Sequence, residues 1–299
     1  MKNFKLKKIL FYSSFLVFVA IASILFNYKN SKEITPQAPE NQALNSENLP
    51  LQVYFLDVGK ADCAYINCDG KNILIDSGDK EPAGAVTEFL KKQDIEKLDL
   101  VAISHPHRDH IGQMLDVINK FKIEKIIDSK TPKNLISGYT TYTKILNLIS
   151  DKSILKKTVT PNDTFKIGDL HFEIFGPIKK DESNLNNNSL VIKIAYKKVS
   201  FLFTGDAEKS EESDIIKSGK NLKSDVLKVG HHGSTTSSTY KFLKCVSPKY
   251  AVISGVPKEK IVTRLNSFCE KIYRTDKDGT VKAYSDGENI NFKTEKSVA

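Results

Sequence analysis

Six consecutive residues, His105-Pro106-His107-Arg108-Asp109-His110, constrain this chain more than any other stretch of it. They put three imidazoles and a carboxylate into one short turn, directly after the apolar run 98–104. Half of the chain's six histidines stand in these positions. Neutral imidazole nitrogens with a carboxylate oxygen form the donor set that suits Zn²⁺ and, less selectively, Mn²⁺ or Fe²⁺. A histidine-rich polar surface loop is the plain alternative. It does not account for the apolar strand pattern that delivers the cluster.

Three further segments carry the same signature. The run 72–76 (Asn-Ile-Leu-Ile-Asp) ends in Asp76, and 201–206 (Phe-Leu-Phe-Thr-Gly-Asp) ends in Asp206. The run 225–232 ends in Gly230 and the pair His231-His232. A carboxylate after a strand is ordinarily a turn residue or a helix cap, and a lone histidine is ordinarily structural. The common placement at strand ends, beside an independent histidine cluster, points instead to one metal site built from loops.

The surrounding pattern is that of an α/β chain. Strands are predicted at 52–57, 63–67, 72–76 and 98–104, then at 172–175, 190–196, 199–204, 225–229 and 250–254. Helical spacing falls at 83–93, 111–120, 207–218, 239–245 and 258–269. Two strand-rich halves with helices between them predict two sheets packed face to face with helices outside. His171 lies inside an apparent strand and reads as structural.

Before this domain the composition changes. Residues 1–8 are a basic flank with Lys2, Lys5, Lys7 and Lys8, and residues 9–26 carry no charge. That stretch is at the short end for a membrane span, with the flank on the cytoplasmic side. A cleavable signal is the competing reading, since Ala20-Ile21-Ala22 offers a small-x-small site. Residues 27–50, with Pro36 and Pro39, read as a flexible linker to a domain at 51–299. The expected location is the cell membrane with the domain exported, or secretion if the segment is cut.

The net charge is +9. Six Lys and three Glu within residues 1–50 account for three of those charges, leaving +6 on the domain. This suits an anionic substrate but is no nucleic-acid footprint by itself. Cys63, Cys68, Cys245 and Cys269 form no C-x-x-C pair, so a cysteine zinc site is not expected and they read as packing residues.

In order and spacing, His105-x-His107-x-Asp109-His110 with Asp76, Asp206 and His231 resembles the metallo-β-lactamase superfamily. Within it, Phe55-Leu56-Asp57-Val58-Gly59, Ile75-Asp76-Ser77-Gly78, Asn188-Ser189-Leu190-Val191, Thr204-Gly205-Asp206 and the segment from Leu227 to Ser234 resemble the exported hydrolase domain of ComEC-type DNA-uptake proteins and their stand-alone relatives. The resemblance covers about residues 51–286. It implies an αββα sandwich holding two divalent ions, Zn or Mn. His105 and His107 would hold the first, Asp109, His110 and His231 the second, and Asp206 both. His232 would be a ligand in place of His231, or would orient substrate. Asp76 would fix a ligand imidazole from behind. Asp109, Asp206 and His232 would carry the catalysis, with Asp109 accepting a proton and an ionised water attacking. The implied activity is an exported phosphodiesterase or nuclease, with nucleic acid or another phosphodiester as partner. Hydrolysis of a choline phosphodiester, a lactone or a β-lactam is the alternative, and a surface binding protein with a vestigial metal site is the third reading. The sequence departs from the family in having Lys60-Ala61 before Asp62, and Gly255-Val-Pro-Lys-Glu where a Gly-His-Pro segment is usual.

Overall fold

The central strands of this chain, such as Leu100–Ile103 and Val226–Lys228, are buried on both faces, which requires cover on both sides of each sheet. The computed structural model describes residues 49–136 and 140–296. The basic flank, the apolar segment 9–26 and the linker up to residue 48 lie outside the described residues. Among the described residues no helix is long and apolar enough to cross a membrane.

Alternation along each strand sorts residues into layers. Ile73 and Ile75 point inward with Leu100 and Ala102, where they meet Phe172, Ile192, Phe201, Phe203 and Val226 of the other sheet. Phe55 and Phe203 stack across this interface with ring centroids 5.9 Å apart. The alternate residues Leu74, Val101 and Ile103 pack outward against Val86, Leu90, Met114, Val117 and Ile145. On the second sheet Leu202, Leu227 and Ile253 do the same against Ile215, Phe242, Leu243, Ile261 and Leu265. The result is helices, sheet, sheet, helices: an αββα sandwich.

The first sheet has eight strands among the described residues. In space they run Ile290–Thr294, Val281–Ser285, Leu51–Phe55, Ala64–Cys68, Lys71–Ile75, Leu100–Ile103, Lys125–Asp128 and Leu155–Thr158. The second has seven: Lys271–Arg274, Tyr250–Ile253, Val226–Lys228, Val199–Phe203, Val191–Tyr196, Leu170–Gly176 and Thr164–Ile167. Both are mixed. Lys71–Ile75 pairs parallel with Leu100–Ile103, and Val199–Phe203 pairs parallel with Val226–Lys228.

The run 98–104 is interrupted at Asp99, whose carboxylate accepts the Asn72 N–H at 3.0 Å and pairs with Lys71 and Lys97. The helix expected at 111–120 divides into Arg108–Ile111 and Met114–Lys120. A side chain at the intervening Gly112 would collide with the backbone of Asp79, Lys80 and Arg108. Cys63 and Cys68 are buried free thiols.

One buried carboxylate gives the fold a pH dependence. Glu211, on the helix Lys209–Lys217, accepts the Ile178 N–H at 2.7 Å. Burial pushes its carboxyl from 4.5 up to about 7, against the pull of that hydrogen bond. An acid whose pKa is raised on folding keeps its proton in the native state after the unfolded chain has released it. Its penalty therefore grows as pH rises from 4.5 through about 7. Glu211→Gln keeps the acceptor oxygen and removes the titration. Its melting temperature should exceed wild type clearly at pH 8 and much less at pH 5, with a ceiling of about 3 kcal/mol. Equal shifts at both pH values would contradict this origin.

Candidate metal centre

The parallel strands end side by side, and their C-terminal tips deliver the chemistry. Lys71–Ile75 leads to Asp76, and Leu100–Ile103 leads through Ser104 to the histidine turn. From the other sheet Val199–Phe203 leads to Asp206, and Val226–Lys228 leads to His231 and His232. The backbone is bent at these tips: Asp76, His231 and His232 have φ of 58°, 51° and 52°, a left-handed region that costs ordinary residues energy. Gly205, at φ 49°, is tightly enclosed, since a Cβ there would meet Ser104 and Ser189 at 3.0 Å.

Asp206 is the centre of the arrangement. Its Oδ1 lies 3.2 Å from His110 Nε2 and 3.7 Å from His232 Nε2. Its Oδ2 lies 3.9 Å from His105 Nε2 and 3.7 Å from His231 Nε2. The donor atoms of Asp109, His110, Asp206 and His232 fall within 4.8 Å of one another, and so do those of His105, His107 and Asp206. A third such group, Asp62, Asp76 and His110, lies behind the first.

The imidazoles are held from behind. Asp76 Oδ2 sits 2.8 Å from His110 Nδ1 and also accepts the Ser104 hydroxyl at 2.7 Å, while Oδ1 accepts the Ser104 N–H at 2.7 Å. Asp62 Oδ1 sits 3.2 Å from His232 Nδ1, and the other face of His232 meets Asp109 Oδ2 at 3.2 Å. Lys228 donates to Asp62 Oδ2 at 2.7 Å and to the Val229 carbonyl at 3.0 Å. His105 Nδ1 lies 3.1 Å from Ser104 Oγ and 3.3 Å from Ser189 Oγ, which in turn accepts the Asp206 N–H at 3.0 Å.

The electrostatics follow from this crowding. Burial and the neighbouring His110 hold His105 well below the ordinary histidine value, so it is neutral and has a lone pair to give. Burial alone would lower His110, yet the carboxylates of Asp206 and Asp76 raise it well above that value. Burial likewise opposes ionisation of Asp206, but His110, His105 and His232 keep its carboxyl well below the usual range. Asp109 is held at about 2, against the effect of burial, by the hydrogen bond from His232. Four carboxylates, Asp62, Asp76, Asp109 and Asp206, thus share one largely buried pocket with imidazoles and Lys228. Two metal-ligating atoms aimed at its centre, His110 Nε2 and Asp206 Oδ1, lie 3.2 Å apart and, among the described residues, complete no well-aligned hydrogen bond with each other or with any other group. Unpaired buried polar atoms are costly, and divalent cations bound by imidazole and carboxylate would satisfy both. The residues fit such ions.

The sequence expectation placed His231 with Asp109 and His110, with His232 as the ligand in its place or as a substrate-orienting residue. The structure groups His232 there instead. Successive left-handed residues turn the two rings apart, and Asp62 fixes the ring of His232 toward Asp109. The ring of His231 is 26% exposed and lies beside Glu208 and Thr236. His171 is exposed on the strand Leu170–Gly176 and belongs to none of the groups. Asp62, Lys228 and Glu208 join the site only through the fold, since none of them carries a metal-site signature in the sequence. A signal for Lys228 did exist: a lysine inside the apolar run Asp225–Val229 is rarely buried unless paired.

An αββα sandwich with a shared carboxylate and two imidazole groups at its strand ends defines a metallohydrolase-type centre. The chain belongs to the metallo-β-lactamase superfamily, whose model matches residues 56–255. It is similar to ComE operon protein 3 of Bacillus subtilis, with 28% identity over 77% of this chain and 32% of that protein. It is also similar to Recombination protein 2 of Haemophilus influenzae, with 30% identity over 77% of this chain and 28% of that protein. The chain therefore spans about a third of the length of these relatives. Among solved structures, the metallo-β-lactamase fold protein YhfI from Bacillus subtilis aligns with a TM-score of 0.53 at 12% identity, over 75% of this chain and 96% of that one. At that identity the likeness concerns the fold alone.

Proposed function

We propose that this metallo-β-lactamase superfamily hydrolase is a two-ion phosphodiesterase acting outside the cell, with nucleic acid as its leading substrate class. The observation that carries the reading is the division of Asp206. One carboxylate oxygen faces His110 and His232, and the other faces His105 and His231. Two ligands about 2.0–2.2 Å from one cation stand roughly 3–4 Å apart, so each oxygen suits a different ion. Zinc or manganese ions there would lower the pKa of water and offset charge building on a phosphoryl oxygen.

The chain's own groups then position and move protons. Asp76 and Asp62 fix the rings of His110 and His232, leaving each Nε2 toward the pocket. Asp109, partly exposed and ionised at neutral pH, is placed to receive a proton at Oδ2, where His232 meets it. Lys60 is exposed two residues before Asp62 and offers a positive charge to an anionic substrate, whereas the exposed Arg108 beside Asp109 is paired with Asp79 at 2.9 Å. The names of the two relatives, one of a com operon and one of recombination, support nucleic acid over a lactone or β-lactam. The apolar segment 9–26 would tether the domain to the membrane.

Purified protein supplied with Mn²⁺ or Zn²⁺ should cleave bis(p-nitrophenyl) phosphate and single-stranded DNA while leaving nitrocefin intact. Activity on phosphodiesters no higher than that of an Asp206→Ala control would overturn the reading. Hydrolysis of nitrocefin alone would shift it to the β-lactam class.

A further inference from the structure

His231 is not needed to complete the group around Asp109, because His232 occupies that place. Its surroundings nevertheless match those of the imidazoles that do point into the pocket. His110 has Asp76 behind Nδ1 at 2.8 Å and Asp206 Oδ1 ahead of Nε2 at 3.2 Å. His232 has Asp62 behind Nδ1 at 3.2 Å, with Asp109 and Asp206 ahead of Nε2. His231 repeats the pattern: Glu208 Oε1 lies behind Nδ1 at 3.3 Å, and Asp206 Oδ2 lies ahead of Nε2 at 3.7 Å. A carboxylate behind one ring nitrogen fixes tautomer and orientation and raises the basicity of the other, which is the usual support of a metal-bound histidine.

Glu208 is itself anchored. Asn184 Nδ2 donates to its Oε2 at 2.8 Å, and Asn186 Nδ2 reaches Oε1 at 3.5 Å. Thr236 Oγ1 lies 3.1 Å from the same Nδ1 of His231. Three loops thus hold one ring at a set angle, which surface exposure alone would not require. Asp206 Oδ2, which faces His105 Nε2 at 3.9 Å, is faced by His231 Nε2 at 3.7 Å as well.

We infer that His231 is the third imidazole of the first ion position, with Glu208 as the carboxylate that orients it. This rests on the two-ion reading above. Because His231 stands on the exposed side, outside the tight trio of His105, His107 and Asp206, it closes that position last. The first ion is accordingly the weaker and more readily exchanged of the two.

The test is titration of the full chain with Co²⁺ alone, followed by visible absorption and equilibrium dialysis. Wild type should take up two ions in two phases. His231→Ala should weaken the weaker phase at least tenfold and leave the tighter one within threefold. Glu208→Gln should weaken the same phase by roughly 10–100-fold. Asp109→Asn should instead affect the tighter phase. Circular dichroism confirms that each variant is folded. If His231→Ala retains both phases within threefold, or loses the phase that Asp109→Asn loses, the assignment is wrong. Wild type that binds fewer than two ions would overturn the two-ion reading, and the assignment with it.

Discussion

Asp206→Ala should reduce phosphodiester hydrolysis by at least about 10³-fold, equivalent to roughly 4 kcal/mol of transition-state stabilisation. The reason is geometric. Both carboxylate oxygens are engaged, one toward His110 and His232 and the other toward His105 and His231. Under the two-ion proposal truncation would remove a ligand from each ion position at once, and it leaves His110 Nε2 without the oxygen 3.2 Å away. Metal content should fall together with kcat, whereas the fold should persist, because the αββα core lies elsewhere. Activity within tenfold of wild type at saturating metal would contradict a shared carboxylate.

Lys228→Met should lower the unfolding free energy by about 3–5 kcal/mol, the usual cost of removing one partner of a buried ion pair. Lys228 and Asp62 have side chains only 5% and 7% exposed, with Nζ 2.7 Å from Oδ2. Without the ammonium, Asp62 remains a buried carboxylate whose neighbours His232 and His110 cannot fully compensate. Burial pushes the Asp62 carboxyl up, and Lys228 is the foremost of the groups that hold it down. For a domain of this size the loss corresponds to a fall in melting temperature of roughly 10 °C. Asp62→Asn combined with Lys228→Met should recover part of that stability, since no charge is then stranded. A single-variant shift below about 2 °C would show that the pair contributes little. His232 hangs from Asp62, so the single variant should also weaken metal binding.

The layered fold was readable because both faces of the central strands are buried. Runs such as Ile73–Ile75 and Phe201–Phe203 are continuously apolar, and helices alternate with such runs in sequence. Weakly patterned segments were not readable. The strands Leu155–Thr158 and Thr164–Ile167 have mostly exposed or half-buried residues and little β signal, and the helix Thr140–Asp151 also went unassigned. For the site, the histidine turn, Asp76 and Asp206 stood out because each follows a strand. The choice between His231 and His232 could not be made from spacing. It depends on two left-handed residues in a row and on Asp62, which is distant in sequence. Glu208 was hidden for the same reason: two residues after Asp206 it reads as a helix-start carboxylate, and only the fold brings it to His231.

Anomalous diffraction from crystals of the protein grown with Mn²⁺ tests the two-ion centre at Asp206. Two peaks about 3.5–4 Å apart are expected, one on each side of the Asp206 carboxylate. A single peak, or peaks away from His105, His107, His110 and His232, would contradict it.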